Sequence, residues 1–485
     1  MRKNGSLVKK AVEGTLVLGV RRVLIQVIFT LSNIFLARLL FPQDFGTFAI
    51  VSFTLVVFTV FCDLGLGPSL VQKKGDVTVL DLRTAFTIQF ILALSVIAII
   101  FAITPLFIDF YQLEEKNSLL FRLYSLHLLL IPFKNTCGAL LERRLEYKKV
   151  VTVEILDTLC GSLVTVSGAI AGLGVLSFAI GAVAGRFFGA LLYSLLGWWS
   201  FGFAFSKRTL VALTKFGLPY QINVILGLFY GPFVLLYLGK RVGSENLGYF
   251  QFAASLAVLP LAFSEIINRV IFPLGARLQS NKEVLGKIIE RSIVVVSITT
   301  LPLLALGLST AREIINFVYT DRWLPALPAL YLGLVQTSVM AYTGIFSQLL
   351  LAKGRAKDLR NMSLVWAILT WLLAPPLISA FSFVGMSLAG LVVSLSGIWL
   401  FIRLKQEIEF SIFAKIAPYF VGAVFAGLFI YSILSFLPHS ILSLILAVSL
   451  GFCAYVTIIT VLAKKEFFSD LLAVWNLVWG REGRS

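Results

Sequence analysis

Apolar runs of about twenty residues recur from one end of the chain to the other, and no other feature limits its fold so severely. A helix needs roughly 20 residues to cross a hydrocarbon core about 30 Å thick. Inside that core each backbone amide must find its partner within the protein. The runs therefore predict an all-α polytopic membrane protein. Fourteen helices are expected, at about 14–40, 46–70, 83–108, 119–141, 150–172, 175–200, 216–239, 247–272, 286–308, 325–351, 359–380, 384–403, 412–437 and 440–463. Pro105, Gly172-Leu173-Gly174, Pro302, Pro375-Pro376 and Pro438 punctuate or kink them.

The rest of the composition excludes several classes. Only 13% of the 485 residues are charged and 59% are hydrophobic, whereas a soluble chain carries about 25% charge. The four cysteines, Cys62, Cys137, Cys160 and Cys453, all lie in apolar runs without a CxxC pair, which argues against a zinc site or a disulfide framework. The two histidines, His127 and His439, are too far apart in sequence to suggest a metal centre or a catalytic triad. A net charge of +17 would suit nucleic acid, yet Lys and Arg gather in short loops between the apolar runs. One alternating set of loops and ends holds 29 of them and the other holds 6. By the positive-inside rule the first set is cytoplasmic, with both termini inside. Arg21 and Arg22 interrupt the first run and no small-residue cleavage site follows, so the first helix is expected to stay as an anchor. No loop exceeds about 20 residues, too short for a catalytic domain. A membrane enzyme such as a glycan polymerase or ligase is therefore disfavoured.

An internal repeat organises the runs. Asp63 lies deep in the run 45–70, and Glu265 occupies the equivalent place 202 residues later. Gly46 in Asp44-Phe45-Gly46-Thr47-Phe48 and Gly248 in Asn246-Leu247-Gly248-Tyr249-Phe250 keep the same separation, as do Arg38 and Lys240. The repeat predicts an N-lobe, 1–205 (helices 1–6), and a C-lobe, 206–408 (helices 7–12). Helices 13 and 14 and a cytoplasmic tail fill 409–485. Helices 2 and 8 run the same way, so the axis relating the lobes lies along the membrane normal and the substrate path between them.

Six basic residues remain inside the spans: Arg21, Arg22, Arg122, Lys134, Arg186 and Arg269. Their acidic counterparts are Asp63, Glu154, Asp157 and Glu265. Arg269 follows Glu265 by one helical turn, so an intrahelical pair is possible. Lys134 lies mid-helix beside Pro132, which frees a backbone carbonyl and favours a cavity-facing position. Lys134, Arg269 and Asp63 are read as facing a water-filled path, because embedded ionisable groups usually do so. For Arg22, Arg122 and Arg186, snorkelling to a helix end is an equal alternative. Glu154, near a helix start, is read as interfacial. An arginine fork suits a phosphate and lysine adds a point charge, so the excess of base points to an anionic substrate. A drug or cation antiporter would need the opposite balance. Trp198-Trp199 and Trp323 fit an interfacial aromatic belt. Gly161, Gly168, Gly181, Gly185 and Gly189 include small-xxx-small spacings that report close helix packing.

Several segments resemble polysaccharide transporter flippases of the Wzx type, in the multidrug/oligosaccharidyl-lipid/polysaccharide (MOP) superfamily. They are Leu36-Ala37-Arg38-Leu39-Leu40-Phe41-Pro42-Gln43-Asp44-Phe45-Gly46, Asp63-Leu64-Gly65-Leu66-Gly67-Pro68-Ser69-Leu70-Val71-Gln72-Lys73-Lys74 and Glu142-Arg143-Arg144-Leu145-Glu146-Tyr147-Lys148-Lys149. The second lobe adds Asn246-Leu247-Gly248-Tyr249-Phe250 and Arg269-Val270-Ile271-Phe272-Pro273-Leu274. Exporters of colanic and teichuronic acid are the most similar subgroup. The resemblance implies two six-helix lobes in a V around a central cavity, plus two C-terminal helices. It implies movement of an undecaprenyl-diphosphate-linked oligosaccharide to the outer leaflet of the bacterial cytoplasmic membrane, coupled to an H+ or Na+ gradient or to the membrane potential. The other partners it implies are membrane lipids, a polysaccharide polymerase and glycosyltransferases. By the same resemblance Arg22, or Arg21, and Arg269 match arginines in the first and eighth helices of related lipid II flippases. Asp63, Glu265 and Asp157 are left as cavity acids or coupling residues. Arg269→Ala is expected to abolish glycan export while the protein still folds and inserts; normal export by that variant would remove Arg269 from the mechanism.

Overall fold

Hydrocarbon leaves a backbone amide little but its own helix for a partner, and among the described residues every regular element is helical. The structure, a computed structural model, describes residues 2–278 and 281–479. Side chains are described over 21–463, apart from Asn223, Ala262, Phe263, Glu265, Ile266, Arg269, Val270 and Pro273. The chain divides into two compact units, Met1–Gly248 and Tyr249–Ser485. The first holds α1 (Arg2–Leu39), α2 (Pro42–Asp63), α3 (Leu66–Gln72), α4 (Val79–Tyr111), α5 (Asn117–Ser125), α6 (Ile131–Arg143), α7 (Tyr147–Ile170), α8 (Leu176–Leu196) and α9 (Lys207–Tyr230). Across the boundary runs α10 (Pro232–Ala257). The second unit holds α11 (Leu259–Leu278), α12 (Lys282–Val318), α13 (Leu327–Ala352), α14 (Ala356–Leu395), α15 (Ile398–Lys405), α16 (Phe413–Phe436) and α17 (Ile441–Trp479).

Eleven helical stretches among the described residues are long and apolar enough to cross a membrane. One of them, Lys207–Leu261, runs through expected helix 7 into helix 8, and Ala356–Lys405 takes in helices 11 and 12. The latter pair meets at Ser382 (φ 54°, ψ −140°). Expected helix 4, 119–141, is two helices joined by a 3-10 turn, Leu126–Leu130. Pro132 explains the break. In an α-helix its nitrogen would donate to the Leu128 carbonyl, and proline has no N–H to give. The Ile131 N–H bonds to Leu128 O instead, tightening the turn. Each of the fourteen expected crossings thus has a helical counterpart.

The second expected helix is also interrupted. Its first part, α2, starts on Pro42 with the Asp44 carboxylate accepting from Phe41 N–H at 2.9 Å. It stops at Asp63, where Leu64 (φ 49°) and Gly65 (φ 68°) both turn left-handed before α3 begins. A left-handed leucine costs about 1–2 kcal/mol, so the surroundings must hold this elbow in place. A Cβ on Gly65 would stand 2.4 Å from Gly217 O, so the elbow backbone touches α9 directly. Ser69 adds a hydrogen bond to Leu213 O at 2.9 Å. At the far end of α3, Arg143 donates to Leu70 O (3.1 Å), Val71 O (3.1 Å), Lys73 O (2.7 Å) and Gly75 O, capping carbonyls that a helix terminus leaves orphaned. The next helix opens with a capping box: Thr78 N–H donates to Asp81 Oδ2 at 2.8 Å and Asp81 N–H to Thr78 Oγ1 at 3.2 Å.

Two glycine contacts set helix packing in the first unit. On α7 and α8, a Cβ at Gly181 would meet Thr165 Oγ1 at 1.9 Å and one at Gly185 would meet Gly161 Cα at 2.9 Å. The spacing read as close packing is used that way. At the start of α2, a Cβ on Gly46 would lie 1.6 Å from Ser244 O, and one on Gly248 would lie 1.9 Å from Pro42 O. Residues 244 and 248 follow 42 and 46 at the same 202-residue offset, so the segments the repeat relates touch each other reciprocally.

In the second unit α12 is the hub. Tyr455 of α17 donates to Ile298 O at 3.3 Å, Ser309 donates to Gly427 O of α16 at 2.9 Å, and Ser297 shares a 2.9 Å hydrogen bond with Tyr342 of α13. On the loops rich in base, Glu407 pairs with both Lys353 and Arg355. Asp358 pairs with Arg355 (3.2 Å) and Arg403 (3.5 Å). Burial and the neighbouring Arg355 guanidinium hold the Lys353 ammonium below the usual lysine value.

Arg143→Ala is expected to leave the α3 carbonyls uncapped and cost about 2–3 kcal/mol, the scale of hydrogen bonds to a charged group. Thermal unfolding of purified protein in detergent would read this as a lowered Tm, with Arg143→Lys recovering only part. An unchanged Tm for the alanine variant would refute the capping role.

Candidate substrate-binding site

Three basic side chains read from the sequence as candidates come together in the first unit. Glu154 and Asp157 stand three residues apart on α7 and so share a face. Arg21 of α1 brings Nε to 2.8 Å from Glu154 Oε2, an ion pair whose N–H points off the line of a hydrogen bond. Lys134 of α6 places Nζ 4.0 Å from Glu154 Oε1. Arg186 of α8 donates to Asp157 Oδ2 at 3.0 Å. Lys134 is also within electrostatic reach of Arg186, Asp157 and Arg21, so the pairs form one cluster.

The glycines of α8 make the cluster possible. A Cβ at Gly185 would come within 2.7 Å of Asp157 O, and one at Gly189 within 3.1 Å of the Asp157 carboxylate. The stripe that packs α7 on α8 therefore also houses the acid. Exposure sorts the cluster by sign. The side chains of Arg21, Lys134 and Arg186 are 34%, 43% and 49% exposed, while Glu154 and Asp157 are 16% and 12% exposed. Glu142, exposed at the end of α6, adds a third carboxylate within electrostatic reach of Lys134 and Arg21. The described cluster is thus balanced in charge, three against three, and the expected excess of base is absent from it. The three basic side chains are nevertheless more exposed than Glu154 and Asp157, with Glu142 exposed beside them. Lys134 is 43% exposed, with Glu154 as its one described ion-pair partner.

Asp63 forms a second polar group one residue along α6. Its Oδ1 accepts from Gln89 Nε2 of α4 at 2.7 Å and from Asn135 Nδ2 of α6 at 2.9 Å. Among the described residues no ion pair includes it. The other candidates lie elsewhere. Arg22 is exposed, and it is Arg21 that reaches the cluster. Arg122 stacks over the Phe101 ring at 5.6 Å, with no described contact to the cluster. The side chains of Glu265 and Arg269 on α11 lie outside the described residues. Among the described residues no three His, Cys, Asp or Glu side chains gather as a metal site.

Glu154 reads from the sequence as interfacial, near the start of a helix expected at 150. The helix begins at Tyr147, which moves Glu154 two turns inside, and the Glu154/Asp157 spacing was the available signal. Gln89 and Asn135 leave a single trace in the sequence, as uncharged amides within apolar runs. Trp199 is buried against Phe86 and Phe201, while Trp198 is exposed.

Comparison with known proteins gives these contacts a context. A family described as "Polysaccharide biosynthesis protein" matches residues 35–328. The chain is 24% identical over 359 residues to the lipopolysaccharide biosynthesis protein WzxC of Escherichia coli (strain K12), covering 72% of this chain and 71% of that one. It is 24% identical over 312 residues to the teichuronic acid biosynthesis protein TuaB of Bacillus subtilis (strain 168), covering 61% and 62%. Among solved structures, the lipid II flippase MurJ in an inward closed conformation superposes with a TM-score of 0.77 at 13% identity, over 95% of this chain and 100% of that one. At that identity the likeness is one of fold.

Glu154→Ala is expected to lower stability by about 1–2 kcal/mol, the loss on breaking a buried pair discounted for the open side of Arg21. In an Arg21/Glu154 double-mutant cycle followed by unfolding in detergent, the coupling should be about 0.5–1 kcal/mol. Strict additivity would show that the 2.8 Å contact contributes nothing.

Proposed function

The chain belongs to the polysaccharide biosynthesis protein family, and from that membership we propose that it is a flippase for an undecaprenyl-diphosphate-linked oligosaccharide. It moves this lipid from the cytoplasmic to the outer leaflet of a bacterial cytoplasmic membrane by alternating access. The observation that carries the reading is the cluster itself: three basic side chains, a third to a half exposed, drawn together by Asp157, which is buried, and Glu154, which is half-buried.

A diphosphate needs cations that are available but not permanently committed. Glu154 and Asp157 hold Arg21, Lys134 and Arg186 while the site is empty, so no lone charge is buried. An entering diphosphate offers stronger, partly bidentate acceptors than the existing contacts, one of which is 4.0 Å long and another off-line. On release the carboxylates take the cations back, which keeps binding weak enough for transport. The sugar remains in water and the polyprenyl tail in lipid. The lobes of this reading are 1–205 and 206–408, with 409–485 outside the repeat, and the loops rich in base face the cytoplasm. The even charge balance also leaves a second reading, a cation-coupled drug antiporter of the same superfamily.

The test is transbilayer movement of a defined lipid-linked oligosaccharide in vesicles holding the purified protein. Wild type should accelerate it. Lys134→Ala and Arg186→Ala should each lower the rate about 10–100-fold, the loss of one or two charge-assisted contacts. No acceleration by wild type, together with proton- or Na+-driven efflux of a cationic dye, would replace the flippase with the antiporter.

A further inference from the structure

Between α8 and α9 the chain leaves helical form over residues 198–206 and carries three large rings into the open. Trp198, Phe203 and Phe205 are 68%, 66% and 59% exposed. The linker is nevertheless fixed in place by the residues between them. Trp199 and Phe201 pack on Phe86 of α4, and Phe201 also meets Phe133 of α6. Arg83 of α4 donates from Nε to Ser200 O at 3.0 Å, and the Ala204 N–H donates to Thr87 Oγ1 at 3.2 Å. Gly202 completes the attachment. A Cβ there would stand 3.1 Å from Arg83 Nε and 3.2 Å from its Cζ, so the guanidinium lies against the linker backbone. Its one described hydrogen bond uses Nε and leaves both terminal nitrogens without a described partner.

Such a segment suits neither hydrocarbon nor bulk water. Its remaining backbone groups need water or headgroups, which hydrocarbon does not supply. Exposed rings are costly in bulk water and favoured at the boundary between headgroups and acyl chains. The linker therefore belongs in the interfacial layer, and its charge selects what it meets there. Lys207 and Arg208 follow directly and are exposed, and the sequence holds no Asp or Glu between Asp157 and Glu245. The acid closest to Arg83 along the chain, Asp81, is buried and taken by Lys73 and Thr78.

We propose that the 198–208 linker is a binding site for an anionic phospholipid of the cytoplasmic leaflet. The lipid phosphate sits on the two open nitrogens of Arg83, which can donate as a fork. Lys207 and Arg208 add charge at the linker's end, and Trp198, Phe203 and Phe205 lie among the upper acyl chains. The positive-inside rule gives the leaflet. An acidic soluble protein would answer the charges and not the rings; a phospholipid has a part for each. The site is separate from the basic cluster and stands whatever the chain transports.

The experiment is native mass spectrometry of the purified full chain in a neutral detergent, titrated with dioleoyl phosphatidylglycerol or with dioleoyl phosphatidylcholine, which share their tails and differ in charge. Wild type should bind phosphatidylglycerol saturably and about tenfold or more tighter than phosphatidylcholine. The double variant Lys207→Ala/Arg208→Ala removes side chains with no described hydrogen bond or ion pair, so it should fold as wild type. It should lose about fivefold in phosphatidylglycerol affinity per charge, with phosphatidylcholine unchanged. Arg83→Ala should lose about tenfold, and Arg83→Lys, which keeps the charge without the fork, should recover part. Equal affinity for the two lipids, or undiminished phosphatidylglycerol binding in both the double variant and Arg83→Ala, would overturn the site. So would a loss confined to Lys134→Ala and Arg186→Ala, which would put the lipid at the basic cluster. If undecaprenyl diphosphate displaced all the phosphatidylglycerol, the linker would belong to a transported lipid and the proposal would fall.

Discussion

Within a membrane a helix can be broken only where something repairs its backbone, and this constraint organises the first unit. Four carbonyls at and beyond the end of α3 are gathered by one guanidinium, that of Arg143. At the other side of the elbow, Val60 O and Asp63 O are met by the carboxamides of Gln221 and Gln89. The break before Pro132 needs no side chain, because a tighter turn closes it. The polar groups in the apolar interior therefore fall into two kinds. Some mend the backbone, and others carry charge that mending does not require.

The charged cluster belongs to the second kind. Burying Glu154 and Asp157 has a cost that only nearby cations offset, so acid and base are placed together or not at all. The fold controls which member of each pair is the more exposed. Gly185 and Gly189 let α8 approach α7 closely enough to cover Asp157, while the longer side chains of Lys134 and Arg186 reach past it. Small residues on one helix thereby decide which acid of its neighbour is covered.

How much of this was legible depends on what hydropathy can carry. The apolar runs gave every crossing, and the 202-residue repeat singled out Gly46 and Gly248, whose backbones do meet. Hydropathy could not tell a continuous helix from one with a 3-10 turn, because Leu126–Leu130 is as apolar as its flanks. The start of α7 at Tyr147, three residues before the expected one, puts Glu154 two turns into the helix rather than one. The expectation that base exceeds acid inside the spans counted Arg22 and Arg122 equally with Arg21. Only the packing of α1 on α7 distinguishes Arg21, and no pattern in the apolar run encodes which of two adjacent arginines turns inward.

The reciprocal meeting of Gly46 with Ser244 and of Gly248 with Pro42 has a consequence for how such a chain can diverge. After a duplication the two copies are usually free to drift apart, each position answering to its own surroundings. Here two positions answer to the other copy. A larger residue at either one cannot be compensated by trimming its counterpart, because glycine has nothing left to trim. The crossing point therefore tolerates little change in either segment, because any added atom at Gly46 or Gly248 meets main chain and not a side chain that could move aside.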